Sequence, residues 1–206
     1  IIMSETTGNG IELRLGLFIA VFAAVLAISD LFAGKYCDDE IIAHNEQTKA
    51  YNWYMSKSIK QGMEEGHLNI LQGMVAGGMV QPGHEPAIDS LMKETEKEIR
   101  RYGREKKEIL VGSATLDSTE WAQDKNGKFG EIVGANEWAG KAEKLGAAGD
   151  SFDLASLFLQ MCLVMGAVGL VIGSARLKHL FFWLLVSLGA LGTWFAVTAW
   201  MAASAV

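Results

Sequence analysis

The chain has little of several residue types on which common protein classes depend. Only two of its 206 residues are cysteine, and only two are proline. Cys37 follows the first apolar run and Cys162 lies inside the second, so the two thiols are expected at different depths and no disulfide framework is implied. The segment from Lys35 to Ser151 has 15 basic and 20 acidic residues, a net charge of −5, which argues against a nucleic-acid surface, since such a surface needs clustered lysine and arginine.

The sequence also lacks the common motifs of enzyme chemistry. It contains no CxxC, no HExxH, no phosphate-binding glycine loop and no nucleophile elbow. Glu64 and His67 have the spacing of a ligand pair in di-iron bundles, but such a site needs that pair twice and the chain offers it once. We therefore predict no catalytic residue, no metal and no cofactor. A membrane-tethered metal enzyme built on this pair remains a third hypothesis.

What the chain does contain is apolar sequence with its charge confined to the middle. Hydrophobic residues make up 50% of the chain, whereas 15 of the 18 Lys and Arg and 20 of the 24 Asp and Glu lie between Lys35 and Ser151. Apolar runs flank this charged segment on both sides. This distribution is typical of an integral membrane protein rather than of a soluble domain.

Three apolar runs are long enough to cross a bilayer as helices, which requires about 20 residues each. They are Leu15 to Gly34, Leu154 to Ser174 and Leu180 to Ala205. The predicted division of the chain is an N-terminal tail (1–14), a first transmembrane helix (15–34), an extramembrane helical domain (35–151), a second transmembrane helix (152–175), a basic cytoplasmic loop (176–179) and a third transmembrane helix (180–206).

The orientation follows from the short basic loop. Residues 176–179 (Arg-Leu-Lys-His) carry two basic side chains and no acidic one, and short basic loops stay in the cytoplasm. The N-terminus is then cytoplasmic, and residues 35–151 lie on the opposite side of the membrane. The first run has only Arg14 as a basic flank and no suitable cleavage site, so it is expected to be an uncleaved span. Met3 follows two isoleucines, which leaves the position of the true start open.

The segment between the first two spans is predicted to be helical. Glu40 to Leu71 reads as one helix continuous with the first span, and Ala87 to Leu110 reads as a highly charged helix after a proline- and glycine-containing turn. The two could pack as an antiparallel, coiled-coil-like hairpin. The expected fold is an all-α membrane protein with three transmembrane helices and a helical-hairpin extramembrane domain between the first and second.

The remainder of this segment is expected to be less regular. Residues 111–134 are rich in small and polar residues and include a tight turn at Lys125-Asn126-Gly127-Lys128. Glu137 to Ala148 is expected to form a short helix leading into the second span. The sequence Gly149-Asp150-Ser151 should break or redirect that helix.

Two stripes run along the predicted Glu40–Leu71 helix and just beyond it. One is apolar: Tyr51, Met55, Ile59, Met63, Ile70 and Met74. Beside it lie small residues, mostly four apart: Ser58, Gly62, Gly66, Gly73 and Gly77. Each glycine inside a helix costs about 1 kcal/mol relative to alanine. Either the stripe is a groove for another helix, such as that of a second copy, or the helix frays after Gly66. Beyond Gly73, fraying is the favoured reading.

Small residues also recur inside the spans. Gly169 and Gly173 are four apart in the second span, and Gly189 and Gly192 lie in the third; such spacing suits close helix contact. That contact could join two copies or hold the second and third spans together. The spans contain neutral polar residues such as Gln160 and Thr193 but no charge near their centres, which argues against an ion route through one copy.

Two stretches resemble a known family. They are Leu31-Phe32-Ala33-Gly34 and Asn45-Glu46-Gln47-Thr48-Lys49-Ala50-Tyr51-Asn52-Trp53-Tyr54-Met55-Ser56-Lys57-Ser58-Ile59-Lys60. Together with the later spans they resemble an uncharacterised bacterial three-span membrane-protein family, a domain of unknown function with a W-x-x-YQAKSIK-like motif.

The resemblance covers 31–61 and 152–200, and the chain has Tyr-Met-Ser at 54–56 where the family tends to have Tyr-Gln-Ala. It implies an inner-membrane protein with its helical domain on one side, and no activity. The face from Trp53 to Lys60 is either the packing centre of the hairpin or a docking surface.

These observations favour a non-enzymatic structural or accessory protein. It would assemble with itself or with a larger membrane complex through its helical arm, within the lipid bilayer and without nucleic acid. The alternative is a component of an oligomeric pore or transporter. The predicted interaction residues are Trp53, Tyr54, Lys57, Ser58, Gly62, Gly66, Gly169 and Gly173.

Overall fold

The computed structural model describes residues 5–125 and 127–204, with side chains from residue 10 onward. Its architecture is helical, as predicted. The helices are α1 (Glu5–Ala76), α2 (Glu85–Val111), α3 (Ala135–Val171) and α4 (Ala175–Ser204). Between α2 and α3 lie two 3₁₀ turns (Ser113–Thr115 and Ser118–Glu120) and two short antiparallel strands, β1 (Asp124–Lys125) and β2 (Lys128–Phe129).

The chain divides into two compact units. The span unit comprises Ile1–Ile41 and Lys141–Val206, and the arm unit comprises Ile42–Gly140. Both α1 and α3 contribute residues to each unit. The two units are described separately below.

Three helices are long and apolar enough to cross a membrane. Windows of 18 residues within α1, α3 and α4 have mean hydropathies of 2.4, 2.2 and 2.0. No more than 28% of any of these windows is buried inside the protein. Their apolar surface therefore faces outward, which is the arrangement expected where lipid replaces water as the solvent.

The core of the span unit joins α1, α3 and α4. Its buried residues are Leu15, Phe22, Leu159, Cys162 and Leu185. Glycines allow the close approach: a Cβ at Gly189 would lie 2.3 Å from the Phe22 ring, and one at Gly192 would lie 3.0 Å from the backbone oxygen of Ala155. Helices that pack in a membrane commonly use small residues in this way.

Two polar contacts tie the helices of the span unit at either end of the apolar part of α1. The Lys178 ammonium donates a hydrogen bond to Glu12, and the Ser156 hydroxyl donates to Asp30 at 2.6 Å. Lys178 is buried although it carries a charge. Its pairing with Glu12 satisfies the requirement that a buried charge has a partner.

In the arm unit, a small apolar core lies where α2 and the start of α3 meet α1. Its buried members are Ala50, Ile109 and Ala135, with Tyr54 and Leu110 packed against them. Two of these five residues come from α1 and two from α2. The middle of α1 is therefore held by apolar contact as well as by the polar contacts described below.

The predicted break in α3 is wrong. α3 runs without interruption from Ala135 to Val171, through residues 149–151. Ser151 donates its hydroxyl to the Ala147 carbonyl at 3.0 Å, inside the helix. Phe152 is fully buried and stacks on Tyr36 with ring centroids 5.7 Å apart. This burial outweighs the cost of about 1 kcal/mol for a helical glycine.

Several predicted boundaries also move. α1 begins at Glu5 and ends at Ala76, so it includes most of the predicted tail and continues for ten residues past Gly66. The residues assigned to the loop, 176–179, lie in the first turns of α4, and the chain reverses at 172–174. The predicted tight turn joins β1 to β2, where Lys125 pairs with Lys128; its Asn126 and residues 1–4 lie outside the described residues.

Candidate interaction surface of the arm helix

One side of α1 in the arm unit carries six exposed large apolar side chains, interspersed with the polar residues Asn52, Ser56 and Asn69. At 3.6 residues per turn its members fall within a sector of about 140°. Six large apolar side chains on it each have between 38% and 63% of their surface exposed. Two glycines lie between them. We call this the outward face: Tyr51, Met55, Ile59, Gly62, Met63, Gly66, Ile70 and Met74.

The opposite side of α1 contacts α2 through charged and aromatic groups. Lys57 forms an ion pair with Glu105 at 2.6 Å and lies 5.7 Å from the centre of the Tyr102 ring. Lys106 donates to the Ser58 hydroxyl at 3.5 Å and lies 5.4 Å from the Tyr54 ring centre. Three predicted interaction residues, Tyr54, Lys57 and Ser58, therefore make contacts within the arm unit.

Arg101 reinforces the charge pattern beside this contact. Partial desolvation acts to lower its pKa, but a hydrogen bond with Tyr102 and the carboxylates of Glu98 and Glu105 together raise the pKa above the ordinary value. The Arg101–Glu98 pair is 2.5 Å long, and the Arg101–Glu105 pair is 3.6 Å long. Glu105, which is buried, is therefore neutralised by both Lys57 and Arg101.

A buried carboxylate organises the segment after α2. Glu108 is fully buried and accepts three hydrogen bonds, from the Ser113 hydroxyl at 2.7 Å and from the backbone N–H groups of Ala122 and Gln123 at 2.8 Å each. The Ser113 hydroxyl also accepts the N–H of Ile132 at 3.0 Å. The Glu108 side chain thus fixes two separate parts of the loop directly, and a third through Ser113.

The glycines of the outward face border open space. A Cβ at Gly62 or at Gly66 would meet no atom within 4 Å. Neither glycine is therefore required by packing within the chain. Because these glycines have no side chains, a shallow depression lies between Ile59, Met63 and Ile70, which another protein surface can approach closely.

The two predicted span glycines behave differently from each other. A Cβ at Gly169 would lie 3.1 Å from Phe181 and 3.4 Å from Leu15, so Gly169 serves contact within the span unit. Gly173 lies beyond the end of α3 and borders open space. The structure therefore does not bring this pair together on one helix face, as the i,i+4 spacing had suggested.

Trp53 lines a separate groove of the arm unit. The groove has a volume of about 260 Å³ and contains a second tryptophan, Trp138. Its other lining residues are Glu46, Lys49, Ala50, Asp124, Lys125, Ile132 and Val133. Opposite charges are balanced along it, since Lys49 pairs with Glu46 at 2.5 Å.

The predicted ligand pair of Glu64 and His67 is an exposed contact. The Glu64 carboxylate and the His67 ring nitrogen Nδ1 are 3.5 Å apart. Within residues 5–125 and 127–204, no group of three or more His, Cys, Asp or Glu side chains is placed to hold a metal ion. The pair lies beside the outward face rather than in a cavity.

Sequence reasoning missed two features. The first is the burial of Glu108 and its hydrogen bonds. It could not be predicted because its partners are distant in sequence and because most glutamates of a highly charged helix are exposed. The basic side of α2 could have been found, because Lys93, Lys97, Arg100 and Arg104 recur at intervals of four, three and four residues.

Together, these features define an all-α protein with three helices capable of crossing a membrane and an arm with an exposed apolar face. The chain belongs to a family described as a domain of unknown function (DUF4337), whose model matches residues 12–202. This confirms the predicted membership of an uncharacterised family. No curated protein and no solved structure matches the chain.

Proposed function

We propose that the protein is a non-enzymatic structural or accessory membrane protein that assembles with a second copy of itself through the outward face of α1. The observation that supports this most is the exposure of six large apolar side chains on one side of a helix. Large apolar side chains that are exposed together outside the apolar spans mark interaction sites.

A second copy suits this face better than a partner of opposite charge. The outward face carries no charged residue between Tyr51 and Met74, so two identical faces meet without repulsion. Copies inserted in one membrane with one orientation are related by an axis along the membrane normal. Residues near this axis meet their own counterparts, and Gly62 and Gly66 leave room for the aliphatic side chains beside them.

The proposal includes a membrane orientation. The three apolar helices cross the bacterial inner membrane, with the N-terminus in the cytoplasm and residues 35–151 in the periplasm. The contact between Glu12 and Lys178 supports placing the start of α1 and the start of α4 on the same side. Arg176 supports the cytoplasm as that side, because short basic connections stay there.

The Gly62→Leu variant tests self-assembly. A leucine at this position meets no atom of the same chain within 4 Å of its Cβ, and it favours the helix by up to about 1 kcal/mol. The monomer should therefore fold, whereas the close approach of two arms is blocked. We expect the variant to elute as a smaller species than the wild type in size-exclusion chromatography with light scattering in detergent.

The matched control is Gly103→Leu in α2, which adds the same side chain where its Cβ also meets no atom within 4 Å. This control should keep the wild-type mass. A cysteine at Ile59 should form a symmetric disulfide between copies, whereas a cysteine at the neighbouring Lys60 should not. A monomeric wild type, or an oligomer unchanged by Gly62→Leu, would overturn self-assembly through the outward face.

A further inference from the structure

A cleft of about 390 Å³ opens between α1 and α4 in the span unit. We call it the lateral cleft. Each helix contributes four lining residues with the spacing i, i+3, i+4, i+7, from Val25 to Phe32 on α1 and from Thr193 to Trp200 on α4. Residues with this spacing share one side of a helix, and seven positions correspond to about 10 Å along it. Both helices begin on the side of their shared polar contact, so Phe32 and Trp200 lie at the same end of the cleft.

The lateral cleft is apolar and open on one side. Its lining carries no charge, and the polar groups in it are two hydroxyls and the indole of Trp200. Phe152 of α3 lines it and is fully buried, whereas Ile28 and Val197 are 58% and 48% exposed. The cleft is therefore closed towards α3 and open towards the surroundings of the span unit. Its size and its few polar groups are typical of sites for small apolar ligands.

Ser29 supplies the cleft with a hydroxyl that is not used within the protein. Only 3% of Ser29 is exposed, yet its hydroxyl forms no hydrogen bond within residues 5–125 and 127–204. Thr193, by contrast, donates its hydroxyl to the Gly189 carbonyl at 2.7 Å, inside α4. A hydroxyl removed from water without a partner is unfavourable, and the hydrocarbon of a bilayer offers no partner. Ser29 is therefore a donor that a molecule in the cleft can satisfy.

The depth of Ser29 in a membrane follows from its neighbours. No charged residue lies between Arg14 and Asp30, and Asp30 directly follows Ser29. Charged side chains on a span lie near its ends, where they reach the headgroups. Trp200, at the same end of the cleft, is of a type enriched at the boundary between hydrocarbon and headgroups. Ser29 thus lies just inside this boundary, at the level of the ester groups of a phospholipid.

We propose that the lateral cleft binds one acyl chain of a diacyl phospholipid, whose ester carbonyl accepts a hydrogen bond from Ser29. The apolar lining suits the chain, and the open side lets it enter from the bilayer. A helix of a second copy does not fit, because a 10 Å length of a helix about 10 Å across occupies roughly 800 Å³, about twice the cleft. The inference rests on the proposed crossing of a membrane by the three helices. It requires neither self-assembly through the outward face nor the proposed orientation.

Native mass spectrometry of the full chain in detergent tests this proposal. It measures retained lipid and the mass of the assembly separately, so a failure of lipid binding is distinguished from a failure of self-assembly. The delipidated protein is titrated with dioleoyl phosphatidylglycerol or with its dialkyl ether analogue, which lacks the ester carbonyls. We expect saturable binding of one lipid per chain. The ester lipid should bind roughly fivefold more tightly than the ether lipid, which is the ratio for one typical hydrogen bond.

The Ser29→Ala variant removes the donor and leaves the cleft open. It should bind the ester and ether lipids equally, because neither then receives a hydrogen bond. The matched control is Ser187→Ala, which removes a hydroxyl from an exposed position of α4 outside the cleft. This control should keep the fivefold preference for the ester lipid.

The Ala196→Trp variant fills the cleft and should abolish saturable binding of both lipids. Ala190→Trp adds the same side chain at an exposed position of α4 outside the cleft, and it should bind lipid as the wild type does. The proposal is overturned if the wild type does not prefer the ester lipid, if Ser29→Ala keeps the preference, or if Ala196→Trp still binds lipid saturably. A smaller assembly of Ala196→Trp with unchanged lipid binding would assign the cleft to a second copy instead.

Discussion

At the scale of single residues, Glu108 joins parts of the arm unit that are distant in sequence. Its carboxylate accepts hydrogen bonds from Ser113, Ala122 and Gln123 while fully buried. A carboxylate can be buried at tolerable cost only when donors replace the water it loses. The loop between α2 and α3, which contains little regular structure, therefore depends on one side chain.

We predict that Glu108→Ala destabilises the arm unit by roughly 3 kcal/mol or more, because it leaves two buried donors and one half-buried donor without an acceptor. Hydrogen exchange followed by mass spectrometry should show faster exchange across residues 113–134. The control is Glu96→Ala, which removes an exposed carboxylate of the same helix whose pair with Arg100 is 3.4 Å long. That change should cost less than about 1 kcal/mol. Equal effects of the two substitutions would contradict the role assigned to Glu108.

At the scale of elements, the contact between α3 and α4 depends on glycine. Gly192 faces α3 closely enough that a Cβ would lie 2.7 Å from Leu159 and 3.0 Å from the Ala155 backbone oxygen. A backbone atom cannot rotate away as a side chain can. Any larger residue at this position must push the two helices apart.

Gly192→Leu should therefore destabilise the span unit by about 1–3 kcal/mol, as overpacking does elsewhere. A lower thermal unfolding midpoint in detergent is the expected result. Gly16→Leu is the matched control, because Gly16 belongs to the apolar part of α1 and a Cβ there would meet no atom within 4 Å. An unfolding midpoint that is the same for both variants would contradict the close contact between Gly192 and α3.

The helices of this chain could be predicted from sequence more easily than their ends or their contacts. The apolar runs and the charged α2 have clear periodicity, and the structure contains both. The expected break at residues 149–151 was wrong because local propensity was weighed without the buried Phe152, which packs on the distant Tyr36. The spacing of Met55, Ile59 and Met63 predicts an apolar stripe. It does not predict that α2 packs on another side of α1, which carries Lys57.

At the scale of the whole molecule, the proposed orientation in the membrane decides which compartment contains the arm unit. The proposed orientation depends on the basic start of α4 and on its contact with α1. Two basic residues lie near the start of α4. Lys178 is paired with Glu12, whereas Arg176 forms no ion pair with a carboxylate of the described residues.

A labelling experiment checks this orientation. In a chain without its native cysteines, Lys128→Cys should react with a membrane-impermeant maleimide in intact bacterial spheroplasts, whereas Arg176→Cys should react only after permeabilisation. Both positions are exposed on the protein, so a difference between them reports sidedness rather than burial. The reverse pattern would place the arm unit in the cytoplasm.

The two polar contacts of the span unit have a consequence for the kind of bilayer that suits this protein. Glu12 and Asp30 are 18 positions apart on α1, which corresponds to about 27 Å along a helix. A hydrocarbon layer of that thickness leaves both contacts at its edges. A thicker layer would draw one of them into the lipid unless the helices tilt or the layer thins. Hydrophobic mismatch would then sort the protein towards thinner regions of membrane.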